Sequence, residues 1–420
     1  MLAPWHRVFD VHGIMPRTQP ATTADSEINL TTADFARYSR QLSLAGFGPG
    51  AQLALKRARV LVIGAGGLGC PALLYLTAAG VGHITLLDPD RVDTSNLQRQ
   101  VIFTTDDTGQ PKAEVAARRL RALNPLVTIE PHAERFTRDN ALALVAAHDV
   151  VLDGSDNFAT RYLVNDACVI GRRPFVYGAI QGFGGQVSVF NFFPPPPPPP
   201  PASSTSPATP PTYRCLFPEP PAPGDAPSCA EAGVLGVLPG IVGTLQATET
   251  LKILTGIGRP LAGRLLLVDA LTMEMRTLAI TADPQNQRLR ELPAEDFGQT
   301  CATMTQITAA NGTDAASPDE ITIDELRALR AGGVHRQLID VREDWERALA
   351  AIEPSVHVPL DQLGTPAAEA ALAALDPLQP TIVYCARGRR SLKALPALRG
   401  HHGFANILSL QGGITAWGQN

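Results

Sequence analysis

The sequence predicts a doubly wound, mostly parallel α/β sheet followed by a smaller, separate α/β domain. Three observations carry that expectation. From Val60 onward, apolar runs of strand length alternate with helical stretches. A glycine-rich turn, GAGGLG, stands between the first such run and the helix after it. A polar, irregular stretch at 284–316 then separates this pattern from a second, shorter one. At 420 residues the chain also exceeds one ordinary core.

Residues 1–30 show no clear periodicity and read as an extension, with Met15 an alternative start. A helix is expected from Thr31, with Asp34 in its first turn. VLVIG reads as a strand, PALLYLTAAG as a helix, and HITLLD as a strand ending in Asp88. PKAEVAARRLRALNP is an amphipathic helix closed by Pro125. VTIEPHA and DVVLDGSD read as further strands around the helical NALALVAA. GGQVSVFNFF reads as a strand running into eight prolines, Pro194 to Pro201. The insert 194–211 cannot supply ladder hydrogen bonds and is expected to be extended and solvated. It reads as a tolerated insertion, with a site for a proline-recognising domain as the alternative. GIVGTLQATETLKILTG is a long helix, and RLLLVDA and MEMRTLAI are two strands, which closes a first domain at 31–283. After the linker, the domain at 317–420 offers the helix ITIDELRALRAGG, the strands QLIDVRE and TIVYC, and the helix SLKALPALRG. NILSLQGGITAWG ends the chain with a strand, a glycine turn and a helical segment.

Composition narrows the class. The formal charge of −5 gives no case for a nucleic-acid partner. No run approaches the roughly 18 apolar residues of a membrane span. MLAPWHRVFDVHGIMPRTQP lacks the basic start and apolar stretch of a signal peptide, so a cytoplasmic location is expected. The six cysteines show no repeating spacing and are expected to be free thiols. Cys70 and Cys168 fall in predicted helices with apolar neighbours and read as core, while Cys301 lies in the linker.

GAGGLG places Gly64, Gly66 and Gly69 directly after a strand and before a helix. Glycine lets backbone approach a phosphate, and the helix N-terminus adds amide donors. Asp88 follows about 20 residues later, where an acid can bond ribose hydroxyls. These features alone fit a dinucleotide dehydrogenase. The neighbouring segments favour a triphosphate. SNLQRQ (Ser95, Asn96, Leu97, Gln98, Arg99), GQPKAE with Lys112, and RYSRQ with Arg37 and Arg40 supply cations. DGSDN supplies Asp156 and Asn157 at a strand end. Attack on an α-phosphorus needs such cations and Mg²⁺ on the departing oxygens, and Asp156 is a natural Mg²⁺ ligand.

RYSRQ, VLVIGAGGLGCP, LLDPDRVDTSNLQRQ, GQPKAE, LDGSDN and SCAEAGVLGVLPG, in this order, closely resemble the MoeB/ThiF family, relatives of ubiquitin-activating enzymes. The resemblance covers about residues 31–282. It implies ATP-dependent adenylation of the C-terminal glycine of a small ubiquitin-like sulfur carrier ending in Gly-Gly. It implies Gly67 near the phosphates, Asp88 on the ribose, Asn96, Arg99 and Lys112 at the triphosphate, and Asp156 on Mg²⁺. A homodimer is implied too, with Arg40 reaching into the neighbouring copy's site. Many members hold a structural Zn²⁺ in two C-x-x-C pairs. Here TYRC offers only Cys215, with Thr212 at the partner position, and DPQNQRLR has no cysteine. One thiolate cannot form a tetrahedral site, so no zinc is expected and Cys215 reads as a passive loop thiol. Cys229, in PSCAEAG, is the counterpart of a cysteine that forms a covalent link with the carrier in some members; a spectator role is the alternative.

Cys385 follows the strand TIVY and opens a loop, Ala386, Arg387, Gly388, Arg389 and Arg390, that leads into a helix. Loop amides, the helix dipole and the arginines all favour thiolate there. IDVRE, YCARGRRS and LQGGITAW resemble rhodanese sulfurtransferases over about residues 317–420, which implies a persulfide on Cys385. A Cys-based phosphatase would need arginine at position 391, which is serine. Asp340 and Arg342 are expected to pair structurally. The two halves together imply adenylation followed by sulfur transfer, with thiosulfate or a cysteine desulfurase persulfide as donor. Molybdopterin synthesis is the expected pathway. Thiamine, cysteine or tRNA-thiolation carriers, or an NAD-linked oxidoreductase with a sulfur domain, remain alternatives.

Overall fold

The computed structural model describes residues 29–194, 209–220, 233–293 and 319–418. They divide into two compact units, Met1–Gln306 and Ile307–Asn420. Residues 1–28, most of the proline tract, Cys229, Cys301 and most of the expected linker lie outside the described residues.

The first unit opens with α1 (Thr32–Leu42) and α2 (Gly48–Arg57). Thr31 and Asp34 cap α1 reciprocally, each side chain accepting the other's backbone N–H. There follow β1 (Arg59–Ile63), α3 (Gly69–Ala79), β2 (His83–Leu87), α4 (Lys112–Leu123) and β3 (Thr128–His132). After these come α5 (Arg138–Ala146), β4 (Val150–Asp153), α6 (Phe158–Gly171) and β5 (Phe175–Gln181). The strands are parallel in the order β3-β2-β1-β4-β5. The chain leaves the sheet at the β3 edge and re-enters beside β1 as β4. That reversal opens a crevice at the carboxyl ends of the strands. β6 (Gly184–Phe190), β7 (Arg264–Asp269) and β8 (Glu274–Ala279) extend the sheet antiparallel. The helix Val237–Thr255 packs against α3 and over β5 and β6.

Helices on both faces explain why β1 reads as an unbroken apolar run rather than an alternation. Val60, Leu61 and Val62 have no exposed surface, and each such burial contributes about 1.5–3 kcal/mol. β5 escapes the sequence reading because Gly178 interrupts its apolar run. Cys70 and Cys168 are buried in α3 and α6, as expected. Burial pushes the Cys70 thiol up to about 12.

Two boundary expectations need correction. The first domain does not stop at 283. A short helical turn, Pro284–Gln287, packs onto it, with Gln287 Nε2 donating to Asn191 Oδ1 at 2.9 Å and to the Pro210 carbonyl at 3.1 Å. The end of the proline insert is not solvated either. Pro210 and Pro211 are buried, and the Pro211 carbonyl accepts the Asn191 N–H at 2.9 Å.

The second unit holds β9 (Glu320–Ile321), β10 (Gln337–Asp340), β11 (Val356–His357), β12 (Thr381–Tyr384) and β13 (Ile407–Leu410). All are parallel, in the order β11-β10-β12-β13-β9. Asp340 and Arg342 pair as expected: both are buried, with a fork of 2.9 and 2.7 Å. No described helix is long and apolar enough to cross a membrane.

The glycine turn is a tight junction of the first unit. A Cβ on Gly69 would fall 1.9 Å from the Gly64 carbonyl oxygen, a backbone atom that cannot swing aside. Gly69→Ala is therefore expected to lower unfolding stability by about 1–3 kcal/mol, measured by chemical denaturation.

Candidate functional site

Parallel register brings three strand ends together. Ile63 pairs with Leu87 on one side and Asp153 on the other. Gly64 N–H then bonds the Leu87 carbonyl at 2.7 Å, and Gly154 N–H bonds the Ile63 carbonyl at 2.8 Å. The residues beyond these ends line a cavity of about 200 Å³. Of the expected nucleotide-binding residues, the lining includes Gly64, Gly66, Gly67, Asp88, Arg99, Lys112, Asp156 and Asn157.

The charges are arranged for an anionic ligand with hydroxyls. Asp88 Oδ2 accepts Ala65 N–H at 2.7 Å and Oδ1 accepts Asp90 N–H at 2.9 Å. Burial raises its carboxyl above the ordinary value, against the pull of Lys112. Each oxygen retains lone-pair capacity for a further donor. Lys112 opens α4 and is 5% exposed, with Nζ 3.1 Å from Asp90 Oδ2. Arg99 is aimed by its own turn: Nη2 donates to Asn96 Oδ1 at 2.7 Å and Nη1 to the Ser95 carbonyl at 3.3 Å.

Several expected residues are not on the cavity wall. Gly69 lies behind it, packed under Gly64. Ser95, Asn96, Leu97 and Gln98 form the turn that carries Arg99 and do not line the cavity. Within that group, Gln98 packs on the Gly236 backbone. Arg40 is exposed on α1, away from this cavity. Conversely, Gln100 and Arg161 line the cavity without having been expected there. Gln100 is 4% exposed, and its Oε1 has no hydrogen-bond partner among the described residues. Arg161 stands four positions after Asn157, so helical spacing returns it to the same face.

Cys385 lies just beyond β12 and is 2% exposed. Its Sγ accepts Gly388 N–H at 3.1 Å and faces Ser391 Oγ at 3.6 Å. Gly388 has φ +93, the left-handed region that favours glycine, and caps the helix Arg389–Gly400. The loop's carbonyls are satisfied from behind: Cys385 by Ile414 N–H at 2.9 Å and Ala386 by Thr415 N–H at 3.1 Å. Arg390 interacts with the Cys385 charge while paired with an acid. Its two Nη groups grip Glu346 at 2.6 Å each. Arg387 is exposed on the loop, and Arg389 is exposed at the first position of the helix.

Cys215, the one cysteine of the TYRC segment, sits among polar groups. Thr212, Asp283 and Asn286 surround Cys215, and no cluster of metal-ligating side chains occurs among the described residues. Instead the sulfur is a hydrogen-bond hub rather than a passive thiol. It accepts Thr212 N–H and Asp283 N–H, both at 3.3 Å, and Asn286 Nδ2 at 3.5 Å. Burial alone would raise this thiol, but the donors outweigh burial and hold it below the ordinary thiol value.

Comparison with known proteins places both halves. The ThiF family model matches residues 38–289, more than half of the chain. The chain belongs to the ThiF family. A rhodanese-like domain model matches residues 322–420. The probable adenylyltransferase/sulfurtransferase MoeZ of Mycobacterium tuberculosis is 43% identical over 402 residues, covering 96% of each chain. The sulfur carrier protein adenylyltransferase of Thermus thermophilus is 54% identical over 255 residues, covering 61% of this chain and 90% of the relative. The adenylyltransferase and sulfurtransferase MOCS3-2 of Zea mays is 37% identical, over 91% of this chain and 79% of the relative. Among solved structures, MccB of E. coli aligns at TM-score 0.50 and 20% identity over 63% of this chain and 74% of its own, a likeness of fold. The protein is an adenylyltransferase and sulfurtransferase, and its family implies use of ATP.

Cys215→Ala would strand three donors and is expected to lower stability by about 1–3 kcal/mol in denaturant titration. The lowered thiol has a second consequence. In the folded chain, alkylation of Cys215 should reach half its limiting rate at a lower pH than in the unfolded chain. The stability owed to its thiolate is complete above the unfolded thiol value and is lost as pH falls through the folded one.

Proposed function

We propose that the chain adenylates the C-terminal glycine of a ubiquitin-like sulfur carrier and then converts that carboxylate to a thiocarboxylate. The observation that carries the reading is the convergence of Asp88, Arg99, Lys112 and Asp156 on one cavity beside the glycine turn. A dehydrogenase needs the turn and Asp88 but not the three further charges. Carboxylate is a poor electrophile, so one of its oxygens attacks the α-phosphorus of ATP, and pyrophosphate leaves. Arg99 and Lys112 stabilise the charge that builds on the departing oxygens. Asp156 is exposed on the cavity wall, and Mg²⁺ characteristically takes one or two carboxylates plus substrate phosphates. Asp156 would hold that ion, which when bound neutralises phosphate charge. Arg40, exposed on α1, acts in the cavity of a second copy, so the working unit is a homodimer.

The second step uses Cys385. A persulfide there, loaded from thiosulfate or a cysteine desulfurase, attacks the acyl carbon with its outer sulfur, and AMP leaves. The product is an acyl disulfide on Cys385. A second thiolate, assigned to Cys229, attacks the Cys385 sulfur. The carrier leaves as thiocarboxylate, and a Cys229–Cys385 disulfide remains for an external thiol to reduce. Gly388 N–H stands where it stabilises the Cys385 thiolate that takes up the donor's sulfur. The names of the relatives and the MoeB-like motifs favour a carrier of molybdopterin synthesis.

Carrier-dependent exchange of pyrophosphate into ATP tests the first step. Lys112→Ala and Asp156→Asn are expected to slow it roughly 10²–10³-fold. Cys385→Ser should leave exchange intact and abolish thiosulfate:cyanide sulfur transfer. Exchange that ignores the carrier, or survives both cavity variants, contradicts the reading.

A further inference from the structure

At the wall of the nucleotide cavity lies an ion pair that the steps above do not use. Asp153 ends β4 with no exposed surface. Its Oδ1 accepts Ser155 N–H at 2.9 Å, and its Oδ2 faces Arg161 Nε at 3.6 Å. Arg161 Nη2 in turn donates to the Ser155 carbonyl at 3.2 Å. The two side chains grip one residue from both ends. The next residue is Asp156. On its other side Asn157 caps α6, its side chain accepting Thr160 N–H at 2.9 Å. Asp156 therefore stands between two fixed backbone points.

Arg161 is itself held in place. Its guanidinium lies 5.6 Å from the Phe158 ring centroid and 5.7 Å from that of Tyr177. Only 7% of its side chain is exposed. Burying two ions costs desolvation that their attraction often fails to return, so stability is a weak account of this pair. What the ions supply is direction: one orients an N–H and the other a carbonyl of the same residue.

We propose that Asp153 and Arg161 are positioning residues that fix the 154–157 turn so that the Asp156 carboxylate meets a metal–nucleotide complex already aligned. The inference rests on the metal-holding reading of Asp156 above. Calorimetric titration of the full chain with Mn²⁺–ATP, and with ATP in chelator, tests it. Arg161→Met is expected to weaken Mn²⁺–ATP binding roughly tenfold more than it weakens ATP binding in chelator, as loss of a ligand's outer support does. Backbone amide exchange at 154–157 should accelerate in the same variant. Arg161→Lys, which keeps a cation and a donor for the Ser155 carbonyl, should recover most of the metal-dependent affinity. Equal weakening with and without metal, or no weakening, overturns the proposal. Should Arg161→Met fail to fold, Asp153→Asn replaces it. That variant removes the counter-charge of Arg161 and is expected to weaken Mn²⁺–ATP binding in the same sense; unchanged binding there overturns the proposal. Asp156→Asn separates the two levels. If it weakens Mn²⁺–ATP binding and Arg161→Met does not, only the positioning role fails. If Asp156→Asn itself changes nothing, the metal-holding reading fails and takes this proposal with it.

Discussion

Everything in the larger unit depends on how β1 is held between β2 and β4. Parallel register fixes Gly64, Asp88 and Gly154 at one level of the sheet. A slip of one residue would invert every side chain of the strand and separate the glycine turn from the acid that faces it. The close approach of Gly69 to Gly64 locks the turn against the sheet and leaves its amides at the start of α3. The Asp88 carboxylate, the glycine-turn backbone and the Asp156 turn are then brought together by strand register rather than by separate devices.

The smaller unit solves a related problem with the same means. A buried parallel strand ends at the residue that matters, a left-handed glycine turns the chain, and a helix begins. At β1 the arrangement suits phosphate; at β12 it suits a sulfur anion. The difference lies in size. The Cys385 loop is closed around one sulfur by Gly388 N–H and Ser391 Oγ. The first site is an open cavity ringed by long cationic side chains. Each unit thus carries one half of a reaction that needs an activated acyl group and a nucleophilic sulfur.

Much of this was legible in the sequence. Gly64, Asp88 and Cys385 sit at strand ends and Lys112 at a helix start, where periodicity breaks and turn chemistry begins, so local pattern is enough to place them. The rest depends on tertiary packing. Arg161 reads as one more helical arginine until the strand beneath it supplies Asp153. Ser95, Leu97 and Gln98 look like part of the site, but a short turn directs Arg99 and Gln100 inward instead. Cys215 looks idle because its donors come from Asp283 and Asn286, about 70 positions away. Arg390 looks like charge for the sulfur alone, but Glu346, from a helix 44 residues earlier, engages its fork. Composition alone suggested solvent for the end of the proline insert, where Asn191 offers a partner that no local signal reveals.

The central claim is that one chain activates a carboxylate and delivers sulfur to it. Its most direct test is the mass of the carrier after incubation with the full-length protein, ATP and isotopically labelled thiosulfate. The account predicts that the carrier exchanges one terminal oxygen for labelled sulfur, only with ATP present and only when Cys385 is intact. A carrier that acquires the label without ATP, or from a chain lacking the Cys385 thiol, would contradict it.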